Sequence, residues 1–215
     1  PKTIKTLDTE IEATVDSPSN TITDLIISRD MTVHSNTVAE NTTVNSLGNM
    51  YLYSGGIANG TTLNSAGYMY ISHGGVAMDT TVSANGRMII YAGGVHRGTM
   101  QIDSEATVSA DSGAVIDFTV AGRSVTDDYL INDLSKISGT PTYTITVAEN
   151  QAYGEYKLAS GADTFNESIL AAYFSFFSVH LFCEGSIPVL EFCNDLFLFP
   201  AAEDVGILVP VQLQI

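Results

Sequence analysis

Five tyrosines, Tyr51, Tyr53, Tyr68, Tyr70 and Tyr91, are the residues best placed by type and spacing to do chemistry. Rigid aromatic rows bind sugars or partner proteins through large flat contacts at low entropic cost. The same rings can instead stack on one another and stiffen a sheet, the usual role of cross-strand aromatic pairs. Other reactive groups are sparse. His34, His73, His96 and His180 share no common spacing, so they read as solvated surface histidines rather than metal ligands. Between residues 48 and 98 the acid is Asp79 alone, with Arg87 and Arg97 as bases, too few for a pair of catalytic carboxylates. Acids gather instead at Asp103, Glu105, Asp111, Asp117 and Asp127-Asp128, which read as solvated edges and loops. Gly-x-Ser-x-Gly, His-Glu-x-x-His, Walker, Rossmann and calcium-nonapeptide patterns do not occur. The expectation is a protein with no catalytic centre, no metal and no cofactor.

The tyrosines are positioned by a repeat. Gly48, Gly67 and Gly86 lie nineteen residues apart, and Gly55-Gly56, Gly74-Gly75 and Gly93-Gly94 keep the same step. So do Asn41-Thr42-Thr43, Gly60-Thr61-Thr62 and Asp79-Thr80-Thr81. A period near 20 residues marks a solenoid, in which each coil buries its apolar face only against its neighbours. Two columns alternate with period two and are assigned inward: Met31, Met50, Met69, Met88 and Thr107, then Val33, Leu52, Ile71, Ile90 and Ser109. The tyrosine columns then face outward, since the opposite choice would expose methionine in four successive coils. Each glycine pair makes a corner, where positive φ carries little steric penalty. Val38, Ile57, Val76 and Val95 form a further apolar column, followed by Ala39, Ala58 and Ala77. A second strand then turns Val44, Leu63 and Val82 inward. Thr and Asn columns are expected to hydrogen-bond up the stack. The pattern decays at its ends: Asn36-Thr37 replaces the first glycine pair, Thr99–Ile102 shifts the apolar register by one, and the last corner keeps only Ser112-Gly113.

Composition narrows the function. In 215 residues, Lys+Arg is 8 against Asp+Glu 24, a formal net charge of -16. That balance opposes nucleic acid and anionic membrane surfaces, which need a basic footprint, and suits an exposed protein. Two cysteines, Cys183 and Cys193, exclude a dense disulfide framework and match no zinc spacing. The apolar stretches near the end are broken by His180, Glu184, Glu191 and Asp195, so no membrane-spanning helix is expected. No signal peptide precedes Pro1, which points to a processed chain or a piece of a longer one.

The run from Met50 to Ala58, with its glycine pair and following apolar-Ala step, and the run Gly60-Thr61-Thr62-Leu63-Asn64-Ser65-Ala66-Gly67 resemble the AIDA-type repeat of bacterial autotransporter adhesins. The resemblance covers residues 29–118. It implies a β-solenoid passenger segment on the bacterial cell surface, outer-membrane-anchored through a part not present here, acting in adhesion, aggregation or biofilm formation. The implied partners are a host-cell or bacterial surface glycan or protein, or another copy of the chain, with no membrane insertion by this segment. Some members carry O-linked heptose on repeat hydroxyls, which makes Thr43, Thr62, Thr81, Ser46 and Ser65 the candidates for glycosylation. The alternative for the threonines is a plain ladder that stabilises the coil.

The expected fold is all-β: a right-handed parallel β-solenoid of 19-residue repeats with a smaller C-terminal β region. Residues 1–28 read as a cap or degenerate coil, 29–118 as the solenoid, 119–168 as strands closing it, and 169–215 as an apolar tail. Within the third part, Thr142–Val147 and Gly154–Leu158 are expected to pair with each other across the intervening residues. The tail, with eight of the nine Phe after position 164, either caps the solenoid or stands outside a mature domain. Besides the adhesin reading, a solenoid carbohydrate-active enzyme or binding module, and a purely structural spacer, fit the same residues. The irregular threonine columns and their flanking tyrosines disfavour ice binding.

Overall fold

A computed structural model describes residues 20–148, 151–152 and 154–161, and beyond these gives only the strands Ile4–Lys5, Glu10–Ile11, Ser178–Cys183 and Pro188–Cys193. The chain winds as a parallel β-solenoid. One six-stranded parallel sheet stacks Asp30–Val33, Asn49–Leu52, Tyr68–Ile71, Arg87–Ile90, Thr107–Ala110 and Ile137–Gly139 in chain order. A ten-stranded sheet closes the other side, its longest strands being Val76–Val82, Val95–Ile102, Val115–Thr119 and Thr142–Thr146. Among the described residues the one helical piece is a 3-10 turn, Leu134–Lys136, and no helix is long and apolar enough to cross a membrane.

The core is a set of columns running up the stack. Met31, Met50, Met69 and Met88 are fully buried, as are Val33, Leu52, Ile71 and Ile90. Val44, Leu63 and Val82 face them from the second sheet, equally buried. Full burial of one such side chain stabilises the fold by about 1.5–3 kcal/mol, so each coil draws its stability from these few residues and their neighbours above and below. At the corner, the larger Val38, Ile57, Val76 and Val95 stay half-buried, and the small Ala39, Ala58 and Ala77 point into the core instead.

The two glycines of each corner serve different needs. The first sits at positive φ, +74° at Gly55 and Gly74 and +77° at Gly93. The second has ordinary φ, but a Cβ on Gly75 would lie 2.8 Å from the Leu52 carbonyl oxygen of the coil before it. Asn36, at φ 59°, takes the first role where the pair is missing, consistent with the tolerance of asparagine for the left-handed region.

Two local expectations are corrected. The fifth coil does not place Thr107 and Ser109 inside. The register shifts between Met78 and Thr80 against Arg97 and Met100, and the extra residue carries through, so Met88 pairs with Val108 and Ile90 with Ala110. Val108 and Ala110 are the buried pair, and Thr107 is exposed. A β-bulge adds one residue to a strand and moves every later side chain by one place. The expected hairpin between 142–147 and 154–158 is also absent. Thr142–Thr146 instead pairs in parallel with Val115–Thr119, and Gly154–Lys157 pairs with Pro188–Cys193. An unpaired solenoid edge offers a ready row of donors and acceptors. Adding Thr142–Thr146 there also sets Tyr143 and Ile145 on the core columns of Ile116 and Phe118. Most of the apolar tail, and residues 1–19 of the expected cap apart from two short strands, lie outside the described residues.

These contacts set a stability prediction. Gly75→Ala should destabilise the chain by about 1–3 kcal/mol in urea unfolding, because its Cβ meets backbone that cannot rotate away. Gly122→Ala, at φ +79° with nothing within 4 Å, should lose only about 1 kcal/mol, from backbone conformation alone.

Candidate binding surface

The outer face of the six-stranded sheet carries all five tyrosines. Successive side chains on a strand point to opposite faces, so burying the methionines turns Tyr51, Tyr68 and Tyr70 outward. Register sets Tyr51 beside Tyr70, and their rings stack with centroids 4.9 Å apart at 9°. That distance is the spacing between neighbouring strands, about 4.8 Å, so the sheet itself imposes face-to-face contact. Tyr68 joins the row, 6.3 Å from Tyr70, with the Arg87 guanidinium 5.9 Å from the Tyr68 ring centre. Tyr51 and Tyr70 each give one face to the other, and the Tyr68 face meets the Arg87 guanidinium. Burial, more than the neighbouring Asp30 and Tyr70, raises the Tyr51 hydroxyl pKa, and burial ahead of Tyr91 raises that of Tyr70. Both are therefore neutral donors across the physiological range.

Tyr53 and Tyr91 stand apart from this row. They are 41% and 42% exposed, against half-burial for Tyr51, Tyr68 and Tyr70. Tyr53 stacks on His34, centroids 5.1 Å apart at 16°. His34 thus belongs to the aromatic surface, which its nineteen-residue offset from Tyr53 signals in the sequence.

The candidate modification hydroxyls are spread over two places. Thr43, Thr62 and Thr81 align in register on the second sheet, the first two half-buried and Thr81 exposed. Ser46 and Ser65 stand exposed at the corner that follows. The expected threonine hydrogen-bond ladder does not form among the described residues. The threonines at 42, 61 and 80 are buried with their hydroxyls unpaired. Side-chain amides carry the ladder instead: Asn64 donates to Asn45 at 2.8 Å, Asn49 to Asp30 at 2.5 Å and Asn41 to Asp24 at 3.2 Å. An amide both donates and accepts along one direction, which suits a repeat that translates by one strand.

Two ionisable residues lie elsewhere than expected. His96 is not solvated: it follows Ala39, Ala58 and Ala77 in the inward corner column and is fully buried, with neither ring nitrogen bonded to a described residue. Its position, nineteen after Ala77, is the signal that reading the histidines only against each other misses. Asp117, expected at a solvated edge, is 4% exposed. Its carboxylate accepts from Thr119 and Thr144 at 2.6 Å and from Thr146 at 3.0 Å. These bonds tie the Thr142–Thr146 strand to the last full coil. Asp103, Glu105 and Asp111 are exposed, as expected. No group of three or more metal-ligating side chains occurs among the described residues.

The architecture defines a class first: a β-solenoid in which a short repeat writes one surface pattern on successive coils. Within it, residues 54–114 match the family described as "Adhesin of bacterial autotransporter system, probable stalk", known as AIDA. Among solved structures, a TibC-catalysed hyper-glycosylated TibA fragment is similar at 26% identity with a TM-score of 0.40, over 60% of this chain and 58% of that one. The chain thus spans a little over half of that structure's length. No curated protein matches it.

His96 makes the stability pH-dependent. Burial holds its pKa down to about 4, against an upward pull from Asp79 and Asp117. The unfolded chain takes up this proton near the ordinary value of about 6.5. The stability is therefore full above that pH and falls as pH drops toward 4, by about 3 kcal/mol in all. His96→Leu should flatten this part of the curve in urea melts taken at stepped pH. An unchanged slope would show that the histidine is not held neutral in the fold.

Proposed function

We propose that this chain is a surface-displayed passenger segment of an autotransporter-type adhesin, acting through its repeated outer face and not through a catalytic centre. The observation that carries the reading is the tyrosine-bearing face, set by the same register that buries the methionines. The stalk-family match over residues 54–114 supports it. On this reading the protein is extracellular, held at the bacterial outer membrane by a part outside this sequence. Its partner is a surface glycan, a surface protein or another copy of itself. Thr81, Ser46 and Ser65, being exposed, are the most accessible of the candidate glycosylation sites. Peptide mass spectrometry of the exported protein would find added hexose or heptose mass there, and unmodified peptides would remove the proposal.

A second reading, a structural spacer, is favoured by the ring-on-ring stacking of Tyr51, Tyr68 and Tyr70, which stiffens the sheet whether or not anything binds. A Tyr51→Ala, Tyr70→Ala double variant separates the two. It should stay folded, losing about 0.5–1.5 kcal/mol of stacking beyond its lost burial. Adhesion of displaying cells, and binding of the purified chain to a glycan and matrix-protein array, should drop at least about tenfold, the scale of losing a central contact. Displaying cells that neither adhere nor aggregate, with a folded wild type that binds nothing, would leave the spacer.

A further inference from the structure

We propose that the outward column His34, Tyr53, Ser72 and Tyr91 contains a slot for one neutral pyranose ring, floored by Ser72; this rests on the adhesin reading and names its ligand class. The column is set by register. Leu52 pairs with Ile71 and Ile71 with Ile90, so the residues that follow them, Tyr53, Ser72 and Tyr91, stand one above another. Their amides continue the ladder, Ser72 donating to the Leu52 carbonyl and Tyr91 to that of Ile71, each at 2.9 Å. Three of the four positions carry a ring, and Ser72 interrupts them.

Where the column is continuous, the rings meet face to face, as His34 and Tyr53 do at 5.1 Å. The second face of Tyr53 is therefore directed along the stack, over Ser72. Among the described tyrosines only Tyr53 and Tyr91 are exposed. Ser72 makes no hydrogen bond through its hydroxyl to a described residue. Tyr70 lies two places back on the same strand with its hydroxyl neutral, and His73 follows at the corner, packed over Gly93.

The spacing selects the guest. Two strand steps separate the backbones of Tyr53 and Tyr91 by about 9.6 Å. A flat ring stacked on both sides fills only about 7–8 Å, at ordinary carbon contact distances. The excess of about 2 Å suits a puckered saturated ring with its axial hydrogens. A pyranose is such a ring, with an apolar C–H face for Tyr53 and a hydroxyl rim for Ser72, the Tyr70 hydroxyl and His73. Charge selects further. Asp111 follows Tyr91 in the same column, and the whole chain carries -16. An anionic sugar would be repelled.

The test is saturation-transfer NMR on the full chain with methyl glycosides of gluco, galacto and manno configuration, and with sialyllactose. At least one neutral glycoside should give signal, and sialyllactose should give none beyond its neutral part. Ser72→Phe puts a tethered ring in the slot at the 4.9–5.1 Å step that Tyr51 with Tyr70 and His34 with Tyr53 keep, so it should keep or raise the melting temperature and weaken sugar binding at least tenfold. Tyr53→Ala and Tyr91→Ala, which leave the core untouched, should each weaken it similarly and serve if the Phe variant misfolds. Binding that survives Ser72→Phe and the single alanine variants but is lost in Tyr51→Ala, Tyr70→Ala would overturn the slot and keep the adhesive face. A folded wild type that binds none of these sugars would also overturn it, and adhesion of displaying cells would then judge the adhesin reading by itself.

Discussion

Everything in this molecule depends on the stacking of one coil on the next at the spacing of parallel β-strands. Outside the corner turns, the strand amides and carbonyls of a coil find their partners in the coil above or below. The glycine pairs are a consequence. Gly56, Gly75 and Gly94 sit where the preceding coil's carbonyls approach closely, and any Cβ there would push the two coils apart. The same spacing brings equal residues into contact up the stack. It makes an aromatic column into a stack of rings, an asparagine column into a hydrogen-bonded ladder, and a methionine column into a continuous core.

Function follows from that translation. A solenoid copies one surface feature at fixed intervals. Where the copies are faithful, as with Tyr51 and Tyr70, the side chains satisfy each other and the face becomes stiff. Where a copy fails, as Ser72 does between Tyr53 and Tyr91, the neighbours have no ring to stack on from that side. In a structure of this kind a departure from the repeat is therefore the more informative place to look for recognition. The departures inside the core have a different consequence. His96 breaks an alanine column and brings an ionisable group where charge is strongly opposed, and Asp117 is kept there by three hydroxyl donors.

Much of this was legible from the residues. The period, the inward methionines, the outward tyrosines and the corner at each glycine pair follow from counting, because identical coils must make identical contacts. The slip at Thr99–Ile102 is visible too, but one shifted coil does not say whether the shift persists: the bulge moves Val108 and Ala110 into the places expected for Thr107 and Ser109. His96 was legible in principle, nineteen residues after Ala77, but its residue type argues for the surface and outweighs its position unless the columns are read first.

The sequence by itself determined the repeat, its class and the face each repeated residue occupies, since a periodic chain needs only local alternation and one corner to specify a coil. Tertiary structure decided what has no copy to be compared with. It placed Thr142–Thr146 on the solenoid edge instead of in a hairpin, because an open row of backbone donors and two core columns outcompete a local turn. It buried Asp117 under threonines that lie 27 and 29 residues further on, a contact no spacing rule predicts. And it set the ring pairs face to face, Tyr51 on Tyr70 and His34 on Tyr53, because strand separation, not residue type, fixes how aromatic side chains meet.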